Sequence, residues 1–252
     1  MNVQPYLTVS VDDGSVNDMR AADLLEKYGL KATFYIPATN WERPVLPAAQ
    51  VRALSANFEI GGHTYGHVAL HKLSPAQVRA ELEGGKNWVE DVTGQPAKSF
   101  CYPRGKFNSS VRQAVVLAGF TGARTCLFNR NELAADPFLT GVSTHACSHS
   151  PAIQIRHALL EGNFLGALNF IRVHHLERDW VRHFQHALDS VAAIGGAAHL
   201  YFHGWEIEAH DQWQKLESLL AQLAQRTEFS VLQTGNSSQS QPPRPVNNSL
   251  LW

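Results

Sequence analysis

Two adjacent carboxylates, Asp12 and Asp13 in TVSVDDGSVND, follow directly on an apolar run and precede a glycine. Successive side chains of a strand point to opposite faces. Such a pair therefore either closes a turn with Gly14 or aims two carboxylates at separate tasks in one pocket. His63 and His67 in GGHTYGH are four positions apart, a spacing that can bring two imidazoles onto one face of a helical turn and onto one metal ion. With 13 histidines in the chain, the pair alone says little. Joined to a carboxylate from the first strand end, it supplies the mixed oxygen and nitrogen donors of a catalytic zinc-type site that keeps one position for water.

The elements that must hold these groups alternate along the chain. YLTVSV reads as a strand ending at the Asp pair, and VNDMRAADLLEKYGL carries apolar residues at helical spacing. KATFYIPA, FEIGG, AKSFCYPRG, TGARTCLF, LTGVSTHACS and AAHLYFHGW read as further strands. LPAAQVRALSA, SPAQVRAELEGGKNWVEDVTG, SSVRQAVVLAGF, WVRHFQHALDSVAAIGG and QWQKLESLLAQLAQRT read as helices. Repeated strand and helix units of this length predict an α/β fold of parallel strands covered by helices, closed into a barrel. One rim then collects Asp12, Asp13, His63, His67, Pro103, Arg104, Arg124, His145, His149, His203, Trp205 and Glu206. In a βα barrel that rim carries the chemistry. A single domain is expected over 1–234, followed by a poorly ordered tail, 235–252, rich in Ser, Asn, Gln and Pro.

Composition narrows the partners. A formal net charge of −1 offers no basic excess for nucleic acid or an anionic membrane. Three scattered cysteines make neither a disulfide framework nor a thiolate zinc site, which is compatible with a reducing compartment. The N-terminus lacks a charged segment followed by a long apolar one, so a cytoplasmic location is expected. No apolar run reaches the ~20 residues of a membrane-spanning helix. The oligomeric state is not readable.

SVDDG, EIGGHTYGH, YPRG and LYFHGWE occur in this order over roughly residues 6–234. Together they resemble the motifs of polysaccharide deacetylases of the NodB-homology type, carbohydrate esterase family 4. The resemblance implies a distorted (β/α)7-type barrel and metal-dependent hydrolysis of an N-acetyl or related amide on a sugar or polysaccharide precursor. Carried over by position, it makes Asp12 the general base and His203 the general acid. Asp13, His63 and His67 hold one divalent metal, zinc by preference and cobalt or nickel as substitutes. A metal supplies a nucleophile at neutral pH by acidifying its water, and the leaving amine needs a proton, so the division of labour is chemically coherent.

Three departures from the family pattern bear on the site. Cys101 in FCYPRG stands where the family has an arginine that steadies the base. Arg124 is the first candidate to replace that arginine and Arg104 the second. Replacing Arg124 is expected to move the acidic limb of the pH profile with little effect on folding. LERDW offers Asp179 and Trp180 for an incomplete D-x-x-D-W pattern, or simply belongs to an amphipathic helix. In HGWE, Trp205 suits a substrate wall and Glu206 suits the orientation of His203. The N–H groups of PRGKF, with Tyr102 and Arg104, are candidates for the oxyanion or the substrate, and His71 and His149 are spare metal ligands. Two other functions fit the sequence: a hydrolase of a cyclic or other small amide on the same fold, and a non-catalytic sugar-binding or metal-binding module.

Overall fold

The computed structural model of the chain describes residues 4–233; the expected tail, 235–252, lies outside them. In chain order the elements are β1 (Pro5–Asp12), α1 (Asp18–Lys27), β2 (Thr33–Ile36), α2 (Ala48–Leu54), β3 (Glu59–Gly62), α3 (Pro75–Thr93), β4 (Ser99–Cys101), α4 (Ser109–Leu117), β5 (Gly122–Arg124), β6 (Thr144–His145), α5 (Pro151–Leu160), α6 (Phe164–Arg172), α7 (Trp180–Ile194), β7 (Gly196–Phe202), α8 (Gly204–Ala209), α9 (Trp213–Leu223) and β8 (Ser230–Leu232). The ladders are parallel and run β5-β4-β3-β2-β1-β7-β6. β8 pairs with Tyr6–Thr8 of β1, on the edge that β2 occupies further along at Ser10–Asp12.

This is the distorted (β/α)7-type barrel in an α/β domain, and the distortion has a specific origin. Thr140 exchanges backbone hydrogen bonds with Ala123 and Thr125 at the β5 edge, while Ser143 and Ala146 donate to His199 and Tyr201 of β7. One irregular segment, 140–146, therefore bridges the two edges that a regular barrel would join directly. LTGVSTHACS, expected as a full strand, contributes only the two residues of β6 to the regular ladder.

The period of two along β1 and β7 sorts their side chains. Leu7, Val9 and Val11 enter the buried apolar cluster with Leu200 and Phe202 of β7 and with helical residues such as Leu25, Phe184 and Leu220. Thr8 and Ser10, on the alternate face, hold the two ring nitrogens of His199 at 2.8 and 2.9 Å. The helix pair α5 and α6 was not anticipated. Leu159, Leu160, Phe164, Leu168 and Ile171 are all exposed there, while Ala158 and Phe170 are buried, so apolar residues occupy both faces of these helices.

α3 is the element that fixes the histidine loop. Ser74 and Gln77 form a capping box at its start, and Gly94 ends it with a left-handed φ of 68°. Glu81 Oε2 accepts hydrogen bonds from the N–H groups of Tyr65 and Gly66 at 3.0 and 2.8 Å. The helix comes so close that a Cβ on Gly85 would sit 2.6 Å from the Thr64 carbonyl carbon and 2.9 Å from the Tyr65 nitrogen. Gly85→Ala is therefore expected to push this loop outward with helix content retained, and would weaken any divalent cation held by His63 and His67 by roughly tenfold or more. Metal titration alongside far-ultraviolet circular dichroism checks it.

Candidate active site and metal centre

Asp12 closes β1, and Asp13 and Gly14 both turn left-handed, at φ of 80° and 65°. Their carboxylates consequently face different neighbours. Asp13 Oδ1 lies 3.1 Å from His67 Nε2 and 3.5 Å from His63 Nε2. Asp13 Oδ2 accepts from Arg43 Nη1 at 2.9 Å and from the Trp205 indole at 3.0 Å. His63 Nδ1 is 2.8 Å from the Cys101 carbonyl, an acceptor that places the ring proton on Nδ1 and leaves the Nε2 lone pair toward Asp13. The three ligand-type atoms lie within 4.8 Å of one another and all three side chains are buried, so the residues present suit a divalent cation. Segment 63–69 is not a helical turn, as the spacing suggested. Thr64 and His67 adopt φ of 65° and 54°, and this left-handed backbone is what brings the two rings to a 5.0 Å centroid separation.

Asp12 stands beside this set. Its Oδ2 pairs with Arg124 Nη2 and has Cys101 Sγ at 3.7 Å, while its Oδ1 is buried with no hydrogen-bond partner among the described residues. Arg124 is fully buried and its guanidinium lies between the rings of Tyr35 and Tyr201, 5.2 and 4.7 Å from their centroids. Burial by itself raises the Asp12 pKa, but the charges of Arg124, His63 and His203 outweigh it and hold the carboxyl below its usual range. Cys101 stays a thiol, because burial pushes its pKa well up.

Arg104 does not reach Asp12: it is paired with Glu42 at 2.9 Å, close to the exposed ring of Trp41. Within PRGKF, the N–H groups of Gly105 and Lys106 are engaged in the turn by Tyr102 and Pro103 carbonyls. The Tyr102 hydroxyl donates to the Phe138 carbonyl.

His203 follows β7, with Nε2 4.0 Å from Asp13 Oδ2 and Nδ1 2.6 Å from Glu206 Oε2. Burial works against its charge, but Glu206 and the two aspartates prevail and raise its pKa to about 9. The same Glu206 oxygen lies 2.8 Å from His145 Nε2. Asp179 and Trp180 serve α7 instead of this site. Asp179 caps the helix through the N–H groups of Val181 and Arg182 and pairs with Lys215, and Trp180 is buried against Gln212. Nor is either spare ligand at the Asp13 set. His71 lines a groove between α3 and α4, and His149 sits 3.1 Å from His145.

Arg43, Glu42 and Asp18 went unnoticed in the sequence. Arg43 stacks on Trp205 at 3.8 Å while holding Asp13, and Glu42 lies 3.5 Å from His67 Nδ1. WER carries no periodic or motif signal. Asp18 is buried, accepts from Ser15 and from the Gly204 N–H at 2.8 and 3.1 Å, and so ties the loop after β1 to the loop after β7. Burial, aided by the charge of Asp13, pushes its pKa to about 8. Glu42 and Arg43, with Asp12, Asp13, His63, His67 and His203, line an open cleft of about 450 Å³ that Lys106, Phe128 and His157 also border.

Residues 2–123 match the polysaccharide deacetylase family model, a stretch that holds the Asp pair, both histidines and Cys101. Over this stretch, just under half of the chain, the resemblance to polysaccharide deacetylases of the NodB-homology type is shown. A bifunctional xylanase/deacetylase of Pseudobutyrivibrio xylanivorans is 26% identical over 121 residues, covering 48% of this chain and 20% of that protein. The chain spans only 20% and 27% of the length of the curated relatives it matches. Among solved structures, a family 4 acetyl xylan esterase from Clostridium thermocellum in complex with cobalt superposes with a TM-score of 0.56 at 16% identity, over 93% of this chain and 90% of that one. A family 4 pseudoenzyme from Bacillus anthracis gives 0.54 at 14% identity, over 94% and 66%. An esterase and a pseudoenzyme thus share this fold, so the chemistry of this chain has to be argued from its side chains.

Two expectations follow from the geometry. Arg124→Met leaves a buried carboxylate without its counter-charge, so it should cost about 3–5 kcal/mol at neutral pH, contrary to the small folding effect expected from sequence. The loss should shrink as acid protonates Asp12, and urea unfolding at several pH values reads it. Glu206→Gln removes the group that keeps His203 charged, and its titration midpoint, followed by NMR on metal-free protein, should fall from about 9 toward 6.5. The stabilisation from this raised pKa is complete below about 6.5 and fades as pH rises through about 9, so the variant should lose most stability on the acid side of that window.

Proposed function

We propose that this protein is a metal-dependent hydrolase that removes an N-acetyl group from a sugar or polysaccharide precursor. The observation that carries this reading is the division of roles in the Asp pair: Asp13 turns one oxygen to His63 and His67, while Asp12 keeps one buried oxygen without a hydrogen-bond partner among the described residues. A divalent cation held by Asp13, His63 and His67, with zinc the best match to these donors, supplies a Lewis acid that acidifies water and polarises the acetyl carbonyl. Asp12, kept ionised by Arg124, takes the proton of the attacking water on Oδ1. As the C–N bond breaks, His203 delivers its Nε2 proton to the departing amine, giving acetate and the free amine. Glu206 holds the opposite ring nitrogen and keeps the imidazole aimed and charged. Arg43 and Trp205 fix the Asp13 carboxylate from behind.

The nature of the leaving group separates amide from ester. An alkoxide departs with less help than an amide nitrogen, and a histidine held charged up to about 9 suits the harder case. N-acetylated sugars are therefore expected to outpace O-acetylated xylo-oligosaccharides and cyclic imides when metal-loaded protein is assayed on all three. Equal or reversed rates would contradict the amide assignment.

The roles themselves are tested by two substitutions. Asp12→Asn should retain metal and lose about 10²–10⁴-fold in kcat. Asp13→Asn should lose metal affinity and turnover together, because an amide oxygen is a weaker ligand than a carboxylate. Elemental analysis and turnover on the same samples read both; two variants that keep metal and rate would end the hydrolase reading of this cleft.

A further inference from the structure

A second cluster of metal-ligating side chains lies on the far side of Glu206 from His203. THACSH closes β6, and the Cys147 N–H donates to the His145 carbonyl at 2.7 Å, a tight turn that folds the segment on itself. The Ala146 N–H is anchored on the Tyr201 carbonyl, and α5 begins at Pro151 behind a Ser150 cap. Both ends of the segment are thus fixed by backbone bonds. His145, Cys147 and His149 each present a ligand atom within 4.8 Å of the other two.

We propose that His145, Cys147 and His149 form a second metal site, distinct from the Asp13, His63 and His67 set, that takes a borderline-soft divalent cation such as zinc through one thiolate and two imidazoles.

The surroundings of His145 are those of a metal ligand. Its ring is clamped flat on Tyr201, with centroids 4.4 Å apart and planes 10° apart. Its Nε2 faces the Glu206 carboxylate at 2.8 Å, the outer-shell partner that fixes the tautomer of a ligating histidine and strengthens its other nitrogen as a donor. With the proton on Nε2, the lone pair of Nδ1 points at His149 Nε2, 3.1 Å away. Two imidazole nitrogens on one tetrahedral zinc, each at about 2.0–2.1 Å, are separated by roughly 3.3 Å, so a cation fits between these rings with little movement.

The donor chemistry also separates this set from the first. Sulfur with two nitrogens selects zinc, cobalt or copper over magnesium, calcium or manganese. Cys147 and His149 are half-exposed and open with His145 onto a cavity of about 230 Å³, which gives the ion a way in. His157 and Glu177 line the same cavity. Cys147 binds as a thiolate, its proton being released to solvent on coordination.

The site is argued from ligand geometry and stands whether or not the cleft hydrolyses amides, so its test does not depend on turnover. Cobalt(II) is titrated into the metal-free full chain while stoichiometry and the near-ultraviolet spectrum are followed. Two equivalents are expected, the thiolate-bound one bringing a sulfur-to-cobalt charge-transfer band. Cys147→Ser should abolish the band and leave one equivalent, and His149→Gln, at a half-exposed position, should reduce the affinity of that one site by roughly 10–100-fold. The double variant His63→Ala, His67→Ala should keep the band. A single equivalent without a charge-transfer band in the wild type would overturn the proposal and identify the cluster as a hydrogen-bonded histidine pair. A band that survives Cys147→Ser would overturn it too, since the thiolate would then be Cys101 or Cys126.

Discussion

The buried ion pair between Arg124 and Asp12 is the constraint around which the centre of this barrel is built. Both side chains are almost completely removed from water, and neither charge is tolerable alone at that depth. The aromatic rings of Tyr35 and Tyr201 flank the guanidinium, from β2 and β7. Strands β1, β2, β5 and β7 must therefore keep their relative positions if the charges are to stay matched. The pair also sets the electrostatics of the cleft, since it keeps Asp12 ionised while committing only one of its oxygens.

The remaining polar groups of the rim are arranged by the same economy of lone pairs. Asp13 gives one oxygen to the histidines and the other to Arg43 and Trp205. Glu206 is shared by His203 and His145, and Asp18 joins the turn after β1 to the start of α8. Each carboxylate thus links two loops that leave different strands. A parallel barrel places its strand ends close together but does not by itself fix the loops, and these shared carboxylates do.

Glu206 has a wider consequence. It connects the cleft that holds the Asp pair with the cavity that holds His145, Cys147 and His149, since His203 on one side and His145 on the other draw on the same carboxylate oxygen. Anything that changes charge on the His145 side alters the hold of Glu206 on His203, because a stronger donor on one side weakens the hydrogen bond on the other. Helix α5 borders this region, with Ile153 and Gln154 at the cavity and His157 and Glu161, toward its end, at the cleft.

Much of the site was legible in the sequence for a simple reason. Alternating strands and helices put every strand end on one rim, so Asp12, Asp13, His63, Arg124 and His203 were bound to meet once that pattern was read. The family motifs added roles that spacing could not. The sequence could not say which of Arg104 and Arg124 replaces the arginine missing at Cys101. That choice is made across 112 residues, by the pairing of β4 with β5 and the curl of the sheet that turns Arg124 inward and leaves Arg104 in a left-handed turn beside Glu42. Nor could it say that His63 and His67 converge through left-handed backbone instead of a helical turn, a geometry imposed by the close approach of α3 at Gly85. Sequence by itself determined the strand ends and the residue types on them, because local periodicity is a property of the chain. The partners of each charge were decided only by the tertiary structure, because they depend on which distant segments the curled sheet brings within hydrogen-bonding distance.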